Sequence, residues 1–403
     1  MPLVARFLKI AALAAATLLG ACGGGGGSAG GTGGPPLTDA GFLRLALTDA
    51  PACGYSQIDV TVLKVRVHPS STAADGDAGW SEVVLSSPQR IDLLALTNGV
   101  VLELGQVMLP VGNYRQMSLV LVNNDATTPL ANAVTPVGLA EAPLAIPASL
   151  QGGLKIPIDI DVVKNQITDE VIDFDACNSV LRLGAPGSYQ LSPKYSIIRR
   201  VSTTGQRVTG YVATSLDPST TRISLQSGGT IVRSTAPDPT GRFVLYPVPA
   251  GTGTYDLVVS ALGRVPALIT GVPEIDTAST DINTNAVPID PPPSVTRTVT
   301  GTVSTGTTPI DARVAIVKPY AGGPNVVVAG APANGTTGAL AYTVSSQAPV
   351  RAAFSAGTPP AFSADNSAPT GRYTVAVTAG GTTKTADVDA TGGDPAPVTF
   401  TFP

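Results

Sequence analysis

Short segments in which apolar and polar residues alternate recur along this chain, and turn-forming residues end them. Residues 41–48 alternate in this way before Asp49-Ala50-Pro51, and residues 58–68 do so before Pro69. A period of two places successive side chains on opposite faces of a strand. In residues 58–68 it predicts one core face with Leu63, Val65 and Val67 and one solvent face with Lys64, Arg66 and His68. Because Asp, Gly and Pro close strands with turns, the pattern predicts β-strands joined by short connections. The segment 91–99 ends in one such predicted turn, Asn98-Gly99.

The composition supports an all-β fold with real hydrophobic cores. Only 13% of the 403 residues are charged, and Val, Thr and Ala are abundant beside 44 Gly and 36 Pro. This balance favours strands and turns, and a chain of this length has room for two or three domains. We therefore predict tandem antiparallel β-sandwich domains. A net charge of −4 without a Lys/Arg run argues against nucleic acid as a partner.

The segment 1–21 has the organisation of a secretory signal. Arg6 and Lys9 precede an apolar run, residues 10–19, that is too short to cross a bilayer. Leu19-Gly20-Ala21-Cys22 resembles the lipobox of bacterial lipoproteins. The resemblance implies cleavage before Cys22 and attachment of acyl chains such as palmitate. The alternative is an ordinary secretory signal with a cysteine beside its cleavage site.

Residues 22–40 are rich in Gly, Ser and Pro, which predicts a flexible tether behind the acylated cysteine. Gly23 occupies the position at which an aspartate would resemble an inner-membrane retention signal. We therefore expect a lipid-anchored protein of the bacterial cell envelope, in the outer membrane and on either of its faces. The membrane is its first expected partner, through the N-terminal lipid.

The chain has three cysteines, and Cys22 is assigned to the lipid. Cys53 and Cys177 remain, and in an oxidising envelope they are predicted to form a disulfide. The alternative is a pair of buried free thiols.

Paired aspartates are the candidate metal ligands. Asp159 and Asp161 share one face of a predicted strand, as do Asp173 and Asp175. Such pairs either bind a metal or form the solvent face of an amphipathic strand, and the periodicity favours the solvent face. We keep Asp49, Asp173 and Asp175 as metal candidates, with calcium as the ion, and expect no other cofactor.

The loop 73–79 contains two further aspartates, separated by a glycine. Calcium is one interpretation, but the remaining ligands of an EF-hand are absent, and a polar hairpin loop is favoured.

Six short motifs follow one another within residues 41–200: Leu47-Thr48-Asp49-Ala50-Pro51, a strand before His68-Pro69, Trp80, Ile91-Asp92-Leu93-Leu94, Leu109-Pro110-Val111-Gly112-Asn113-Tyr114, and Asp173-Phe174-Asp175-Ala176. Through these motifs and their order, residues 41–200 resemble domain-of-unknown-function family 4382. The resemblance implies a β-rich domain found mainly in bacterial lipoproteins. It brings no established activity and no catalytic residue.

An internal repeat follows. Residues 208–212 recur as 299–303, and residues 253–260 resemble 371–378. A period near ninety residues predicts two small sandwiches, here 205–288 and 297–403, joined by a stiff proline-rich linker, 289–296.

The first repeat resembles carboxypeptidase-regulatory or transthyretin-like sandwiches through three motifs, Gly210-Tyr211-Val212, residues 238–243 and residues 248–251. That resemblance implies a carbohydrate-binding-like fold, which does not demonstrate a ligand. The second repeat is divergent and carries a Gly/Pro-rich insertion.

Catalytic motifs are missing from the sequence. His68 is the only histidine and is expected on a solvent face, and no H-E-x-x-H, Cys/His cluster or G-x-S-x-G motif occurs. We therefore predict no enzyme. The leading hypothesis is a non-catalytic envelope lipoprotein that acts as a binding, adhesion or structural module, with the sandwiches as a stalk or auxiliary contacts and an envelope protein as possible partner.

Two alternatives remain open. One is polysaccharide binding, with Tyr55, Trp80 and Tyr114 as stacking faces. The other is calcium-stabilised adhesion through the paired aspartates.

Overall fold

The computed structural model describes residues 39–49, 54–184, 187–249, 253–366 and 370–403. The predicted signal peptide, Cys22, nearly all of the tether and Cys53 lie outside the described residues. Residues 39–403 form one compact unit. No helix in the described part of the chain is long and apolar enough to cross a membrane.

The N-terminal third of this unit contains the following strands: β1 (Ala40–Asp49), β2 (Tyr55–His68), β3 (Ser81–Asp92), β4 (Leu102–Pro110), β5 (Gly112–Leu121), β6 (Ala133–Pro136), β7 (Ala142–Ala145), β8 (Leu154–Val162), β9 (Ile167–Phe174), β10 (Val180–Arg182), β11 (Tyr189–Leu191) and β12 (Tyr195–Arg199). One short helix, α1 (Ala176–Ser179), follows β9, and 3-10 turns occupy Leu93–Leu96 and Ala148–Leu150.

Two sheets enclose the first hydrophobic core. The small sheet has the order β12-β9-β1-β4, and the large sheet has the order β10-β11-β7-β6-β2-β5-β8 with β3 paired to β2. Leu43, Leu45 and Leu47 alternate along β1 and are fully buried in one core with Val65 and Met117 of the large sheet. The alternation read from residues 41–48 is therefore confirmed as a strand with one core face.

Strand β2 departs from simple alternation. Its register with β3 and β5 shifts between Val62 and Lys64, so Leu63 is 38% exposed although we predicted it in the core with Val65. A bulge inserts one extra residue and turns its side chain out of the pleat. Arg66, predicted on the solvent face, is buried instead.

The remaining strands are β13 (Arg207–Tyr211), β14 (Thr221–Ser227), β15 (Thr230–Thr235), β16 (Arg242–Leu245), β17 (Thr254–Ala261), β18 (Ala267–Pro273), β19 (Ser279–Asp281), β20 (Thr296–Ser304), β21 (Ala312–Pro319), β22 (Asn325–Pro332), β23 (Ala339–Ser345), β24 (Val350–Ala353), β25 (Ser363–Ala364), β26 (Arg372–Ala379), β27 (Thr382–Asp389) and β28 (Val398–Thr401).

The internal repeat of the sequence corresponds to a repeated topology. A three-stranded sheet β16-β13-β19 faces the strands β15-β14-β17-β18, and a second such sheet, β23-β20-β28, faces β22-β21-β26-β27. In both copies the first strand pairs in parallel with the last, β13 with β19 and β20 with β28. Each copy has its own hydrophobic core.

The second repeat contributes two strands to a sheet of the first repeat. The insertion of the second repeat forms β24, which pairs in parallel with β18 of the first repeat, and β25 extends that sheet. Val350 and Ala352 of β24 belong to the core of the first repeat. The Gly/Pro-rich insertion therefore widens the neighbouring sheet.

The segment predicted as a linker, 289–296, is also held in place. The Ile289 amide donates to the Tyr211 carbonyl (2.9 Å), and the Ser294 amide donates to the Gly263 carbonyl (2.8 Å). Ile289 is 2% exposed in the core of the first repeat. The segment thus lies along the first repeat rather than spanning open solvent.

Candidate functional site

One side chain singled out from the sequence, Asp173, lies where the N-terminal sheets meet the first repeat. Asp173 is near the end of β9, between Ile172 and Phe174, which face the first core. Its carboxylate therefore points to the opposite face of the small sheet. There it forms an ion pair with Arg233 of β15, whose side chain is 2% exposed. Asp173 was expected on a solvent face, and that expectation is wrong because the first repeat covers this end of the sheet.

Arg233 joins the first core to the first repeat through more than its charge. Its Nη2 donates to the carbonyl of Tyr246 (2.8 Å) and to the hydroxyl of Thr48 (3.3 Å). Burial raises the pKa of Asp173, and the guanidinium of Arg233 acts in the opposite direction. The carboxylate consequently depends on Arg233 for its charge.

The other two metal candidates stabilise the turn after β9. The Asp49 carboxylate accepts the amide of Ala176 (2.9 Å), the first residue of α1. Asp175 is the N-cap of α1 and accepts the amide of Asn178 (3.1 Å) and its side-chain Nδ2 (2.7 Å). Side-chain caps of this kind satisfy the free amides of a first turn. Within the described residues, no group of three His, Cys, Asp or Glu side chains could hold a metal ion.

The second aspartate pair behaves as a solvent face. Asp159 and Asp161 are exposed on β8, and both accept hydrogen bonds from Nδ2 of Asn113, at 2.7 and 3.0 Å. The pair is therefore bridged by an amide on the neighbouring strand.

The loop 73–79 folds over the start of β3, beside Trp80. Asp75 forms ion pairs with Arg66 (2.7 Å) and with Lys155. The hydrogen bond from Lys155, with Arg66 beside it, lowers the pKa of Asp75. The Asp77 carboxylate accepts the amide of Ala74 (2.9 Å) and closes the turn. These contacts support the polar-loop interpretation.

Trp80 is not a free stacking face. The Arg66 guanidinium and the Lys155 ammonium each lie 4.5 Å from the centre of the indole, which is cation–π distance. The His68 ring packs beside it at 5.1 Å, and its Nε2 lies 3.0 Å from the Ala78 carbonyl. His68 therefore helps to hold this loop rather than standing alone in solvent.

The other two proposed stacking residues are buried. Tyr55 is 8% exposed and packs edge-on against Tyr189, and Tyr114 is 3% exposed. Desolvation by burial raises the pKa of both phenols. Neither tyrosine therefore presents an open ring for a sugar, and Trp80, which is partly exposed, is already in contact with two cations.

Contacts between the cores were missed by the sequence reasoning. The turn Asn98-Gly99 was predicted, but its partner was not: the Asn98 amide donates to the Thr235 hydroxyl (2.8 Å), and its side-chain oxygen accepts the Val244 amide (2.6 Å). Gly99 is required there, since its φ is +80° and a Cβ would lie 2.5 Å from the Val244 side chain.

The two repeats are joined by a buried glutamine. Gln226 is fully buried on β14, donates to the Val327 carbonyl (2.7 Å) and accepts the Val327 amide (2.8 Å). Beside it, Leu268, Tyr320 and Val326 form a small hydrophobic cluster that spans both repeats.

The second repeat also reaches the first core. Arg313 donates to the carbonyl of Ser192 (3.0 Å) and to its hydroxyl (2.7 Å), and the Gly335 amide donates to the Arg182 carbonyl (2.8 Å). The N-terminal sheets and the two repeats therefore all contact one another. The described residues do not form the extended stalk that the sequence left open.

Two buried titratable groups were also missed. Glu170, 5% exposed on β9, points to the core side of the small sheet opposite Arg199 of β12. Desolvation raises its pKa to about 7. Lys318, fully buried on β21, donates to the Arg372 carbonyl (3.0 Å) and lies 4.7 Å from the Tyr373 ring centre. Desolvation lowers its pKa to about 8.

The predicted disulfide stays a prediction. Cys177 is 3% exposed in α1, and Cys53 lies outside the described residues. The acylation of Cys22 stays a prediction for the same reason.

Comparisons with solved structures give low overall similarity. A type II cohesin–X-dockerin complex from Acetivibrio cellulolyticus is 25% identical over 21% of this chain and 56% of that chain, with a TM-score of 0.17. The Bacillus anthracis TIE protein is 10% identical over 90% of this chain and 50% of that chain, with a TM-score of 0.15. A streptococcal ancillary pilin is 9% identical over 89% of this chain and 98% of its own, with a TM-score of 0.17.

The chain spans about half the length of the first two structures, and TM-scores this low carry no inference about function. No functionally curated protein matches the chain.

The carboxypeptidase-regulatory resemblance of residues 205–288 stays a prediction. The resemblance stated for residues 41–200 is confirmed, because residues 40–193 match the family model described as "Domain of unknown function (DUF4382)".

Proposed function

We propose that the protein is a non-catalytic lipoprotein of the bacterial cell envelope, and that residues 39–403 act as one rigid structural or adhesion module. The acylated Cys22 and the tether behind it would hold this module at a membrane. The proposal joins the lipobox-like sequence at residues 19–22 to the compact unit that begins at Asp39.

The proposal depends on one observation: the polar side chains between the hydrophobic cores bind other groups of the same chain. Asp173 pairs with Arg233, Asp49 and Asp175 cap α1, and Gln226 bonds both backbone groups of Val327. Catalysis needs such groups aimed at a substrate. In the described residues they are instead aimed at neighbouring parts of the same chain, which supports a rigid non-catalytic module.

The tether sets how far the module stands from the lipid. Residues 22–38 number 17, and a Gly-rich coil of that length has an end-to-end distance of about 21–25 Å. Two or more acyl chains give stable attachment where one chain is marginal.

The test is fractionation of cells that express the wild-type chain or Cys22→Ser, with the mass of the N-terminal peptide measured in each. We expect the wild type in the membrane fraction with an acylated Cys22, and the variant in the soluble envelope fraction. An unmodified Cys22, or equal membrane retention of both chains, would contradict the proposal.

Protease treatment of intact cells then separates two forms of the function. Loss of a C-terminal epitope supports an adhesion module at the cell surface, and protection supports a structural module that contacts periplasmic partners. Polysaccharide binding, the alternative function, gains no support from Tyr55 and Tyr114, which are buried, or from Trp80, whose ring is in contact with Arg66 and Lys155.

A further inference from the structure

A cavity of about 300 Å³ lies between the two repeats. Arg222 of β14, Ala329 of β22 and Tyr342 of β23 line it. In the described part of the chain, Arg222 and Arg264 are its only charged lining residues, and Arg264 is paired with Asp290 (3.0 Å). A volume near 300 Å³ is at the small end for ligand sites in proteins, so the cavity suits a small molecule or the end of a longer chain.

Arg222 gives the cavity an unpaired positive charge. Ile223 and Leu225 belong to the core of the first repeat, so Arg222 points to the opposite face of β14. Gln226 lies on that same face and bonds the second repeat. The Arg222 Nη2 donates to the Ser234 hydroxyl (3.1 Å), whereas its Nε is buried without a hydrogen-bond partner, and no carboxylate among the described residues pairs with the guanidinium.

The edge of β22 adds a hydrogen-bonding backbone pair. Within the described residues β22 pairs only with β21, so alternate residues direct their amide and carbonyl away from the sheet. On that outer side Gln226 bonds the carbonyl and amide of Val327 (2.7 and 2.8 Å), and the Tyr342 hydroxyl bonds the amide and carbonyl of Ala331 (3.1 and 2.9 Å). The register with β21 is regular from Ala329 to Ala331, so Ala329 presents its amide and carbonyl on the same outer side.

The occupied positions on both sides of Ala329 limit what can bind there. Alternate residues of a strand are about 6.8 Å apart. Gln226 and Tyr342 therefore leave room for one amide group at this edge and exclude a whole added strand. An amide can donate to the Ala329 carbonyl and accept from its N–H, as the Gln226 side chain does at Val327. The guanidinium of Arg222 is a charge-assisted donor that suits a carboxylate.

We propose that this cavity binds the C-terminal end of a peptide chain, with the terminal carboxylate at Arg222 and the last amide at the edge of β22. Main-chain hydrogen bonds to a sheet edge and capture of a terminal carboxylate are both established modes of peptide recognition. The inference goes beyond the proposed function and does not depend on acylation of Cys22.

The probe is N-acetyl-dialanine with a free carboxylate. Its binding to the full-length chain in detergent is measured by saturation-transfer NMR, and a ligand of this size should bind with a Kd of about 1 mM. N-acetyl-dialanine amide lacks the charge, and acetate lacks the amide. Each should bind about tenfold more weakly or worse, because each loses one set of hydrogen bonds.

Variants of the two lining groups test the assignment. Arg222→Met should weaken binding of the free acid about tenfold or more, and Arg222→Lys, which keeps the charge, should weaken it less. Ala329→Pro removes the outward N–H without removing a bond to β21, and it should weaken binding about threefold or more. The matched control is Arg115→Met, an exposed arginine of β5 that does not line the cavity, and it should keep wild-type binding. Circular dichroism records whether each variant keeps its fold.

The inference would be overturned if the wild type bound the acid and its amide equally, or if Arg222→Met bound the acid as tightly as the wild type. Absence of binding up to about 10 mM would overturn it as well. Equal affinity for acetate and N-acetyl-dialanine would show an adventitious anion site only. If Arg222→Met does not fold, Ala329→Pro and the three probes on the wild type decide the question. An unmodified Cys22 would contradict the proposed function and leave this inference intact.

Discussion

Breaking the ion pair between Asp173 and Arg233 should weaken the fold more than breaking any exposed pair. The two groups lie between the first core and the first repeat, and their side chains are 13% and 2% exposed. Removing one partner of a buried pair typically costs about 3–5 kcal/mol, because the other charge stays buried without compensation. We expect costs of that order for Asp173→Asn and Arg233→Met.

The two single variants should differ in their dependence on pH. Asp173→Asn leaves a guanidinium that cannot lose its proton. Arg233→Met leaves a carboxyl whose pKa is raised by burial, and this carboxyl can become neutral. Because the folded state of Arg233→Met then binds that proton more tightly than the unfolded state, its stability recovers as the pH falls. Asp173→Asn should show no such recovery.

The measurement is urea unfolding of the soluble chain from Ser28 onward, followed by circular dichroism and Trp80 fluorescence at several pH values. The double variant Asp173→Leu/Arg233→Met should cost less than the sum of the single variants, because it leaves no lone charge. Lys164→Gln is the control: it breaks an ion pair whose side chains are 54% and 68% exposed, and it should cost less than about 1 kcal/mol.

The reasoning would be refuted if Asp173→Asn and Arg233→Met each lowered the free energy of unfolding by less than about 1 kcal/mol and their costs were additive. Such a result would mean that the pair is solvated and that the first repeat does not seal this face of the small sheet.

Three further predictions follow from other buried groups. Burial raises the pKa of Glu170 to about 7 from 4.5, so the folded state binds its proton more tightly than the unfolded state. The free energy of unfolding should therefore fall as the pH rises from 4.5 to 7, by at most about 3.4 kcal/mol. Glu170→Gln should flatten that slope in urea titrations, and an unchanged slope would contradict the assignment. Gln226→Leu leaves the amide and carbonyl of Val327 without their bonds and should cost about 1–3 kcal/mol, whereas Gln347→Leu, on a less buried glutamine, should cost little in the same assay. Because Cys177 is buried, alkylation is done in urea without reductant: it should leave Cys177 unmodified in intact-mass spectra, and Cys53→Ser should lower stability by up to about 5 kcal/mol. Two alkylated thiols in the unreduced, unfolded wild type would remove the disulfide from the account.

Strand patterns were predictable because they depend on local alternation. Residues 41–48 form β1 with its leucines inward, and the repeat at 208–212 and 299–303 gives two sheets of the same order. Leu63 was misplaced because a bulge adds one residue without changing the local pattern.

The contacts between cores were not predictable from the same signals. Asp173 has the alternation of a solvent-facing residue, and only the position of Arg233, in a different sheet and far along the chain, buries it. Asn98-Gly99 was predicted as a turn from its residue types, but nothing in the local sequence indicates that Asn98 forms hydrogen bonds with Thr235 and Val244. Which distant residues contact each other depends on how the sheets pack. The alternation of apolar and polar residues along one strand does not predict that packing.

The proline-rich segment 289–296 shows the limit of composition as a guide. Consecutive prolines predict a stiff spacer. However, the backbone groups of Tyr211 and Gly263 bond Ile289 and Ser294, and the chain runs along the first repeat. The stiffness of the segment stays a prediction, and its packing along the first repeat was not predicted.

The central claim is that residues 39–403 form one rigid unit, and small-angle X-ray scattering of that segment in solution tests it most directly. A compact unit of this size has a radius of gyration of about 21 Å. Three sandwiches arranged in a row would give a value on the order of 30 Å. A measured radius of gyration that matches the compact unit and is unchanged by moderate salt supports the account, and a radius that matches the row of sandwiches would contradict it.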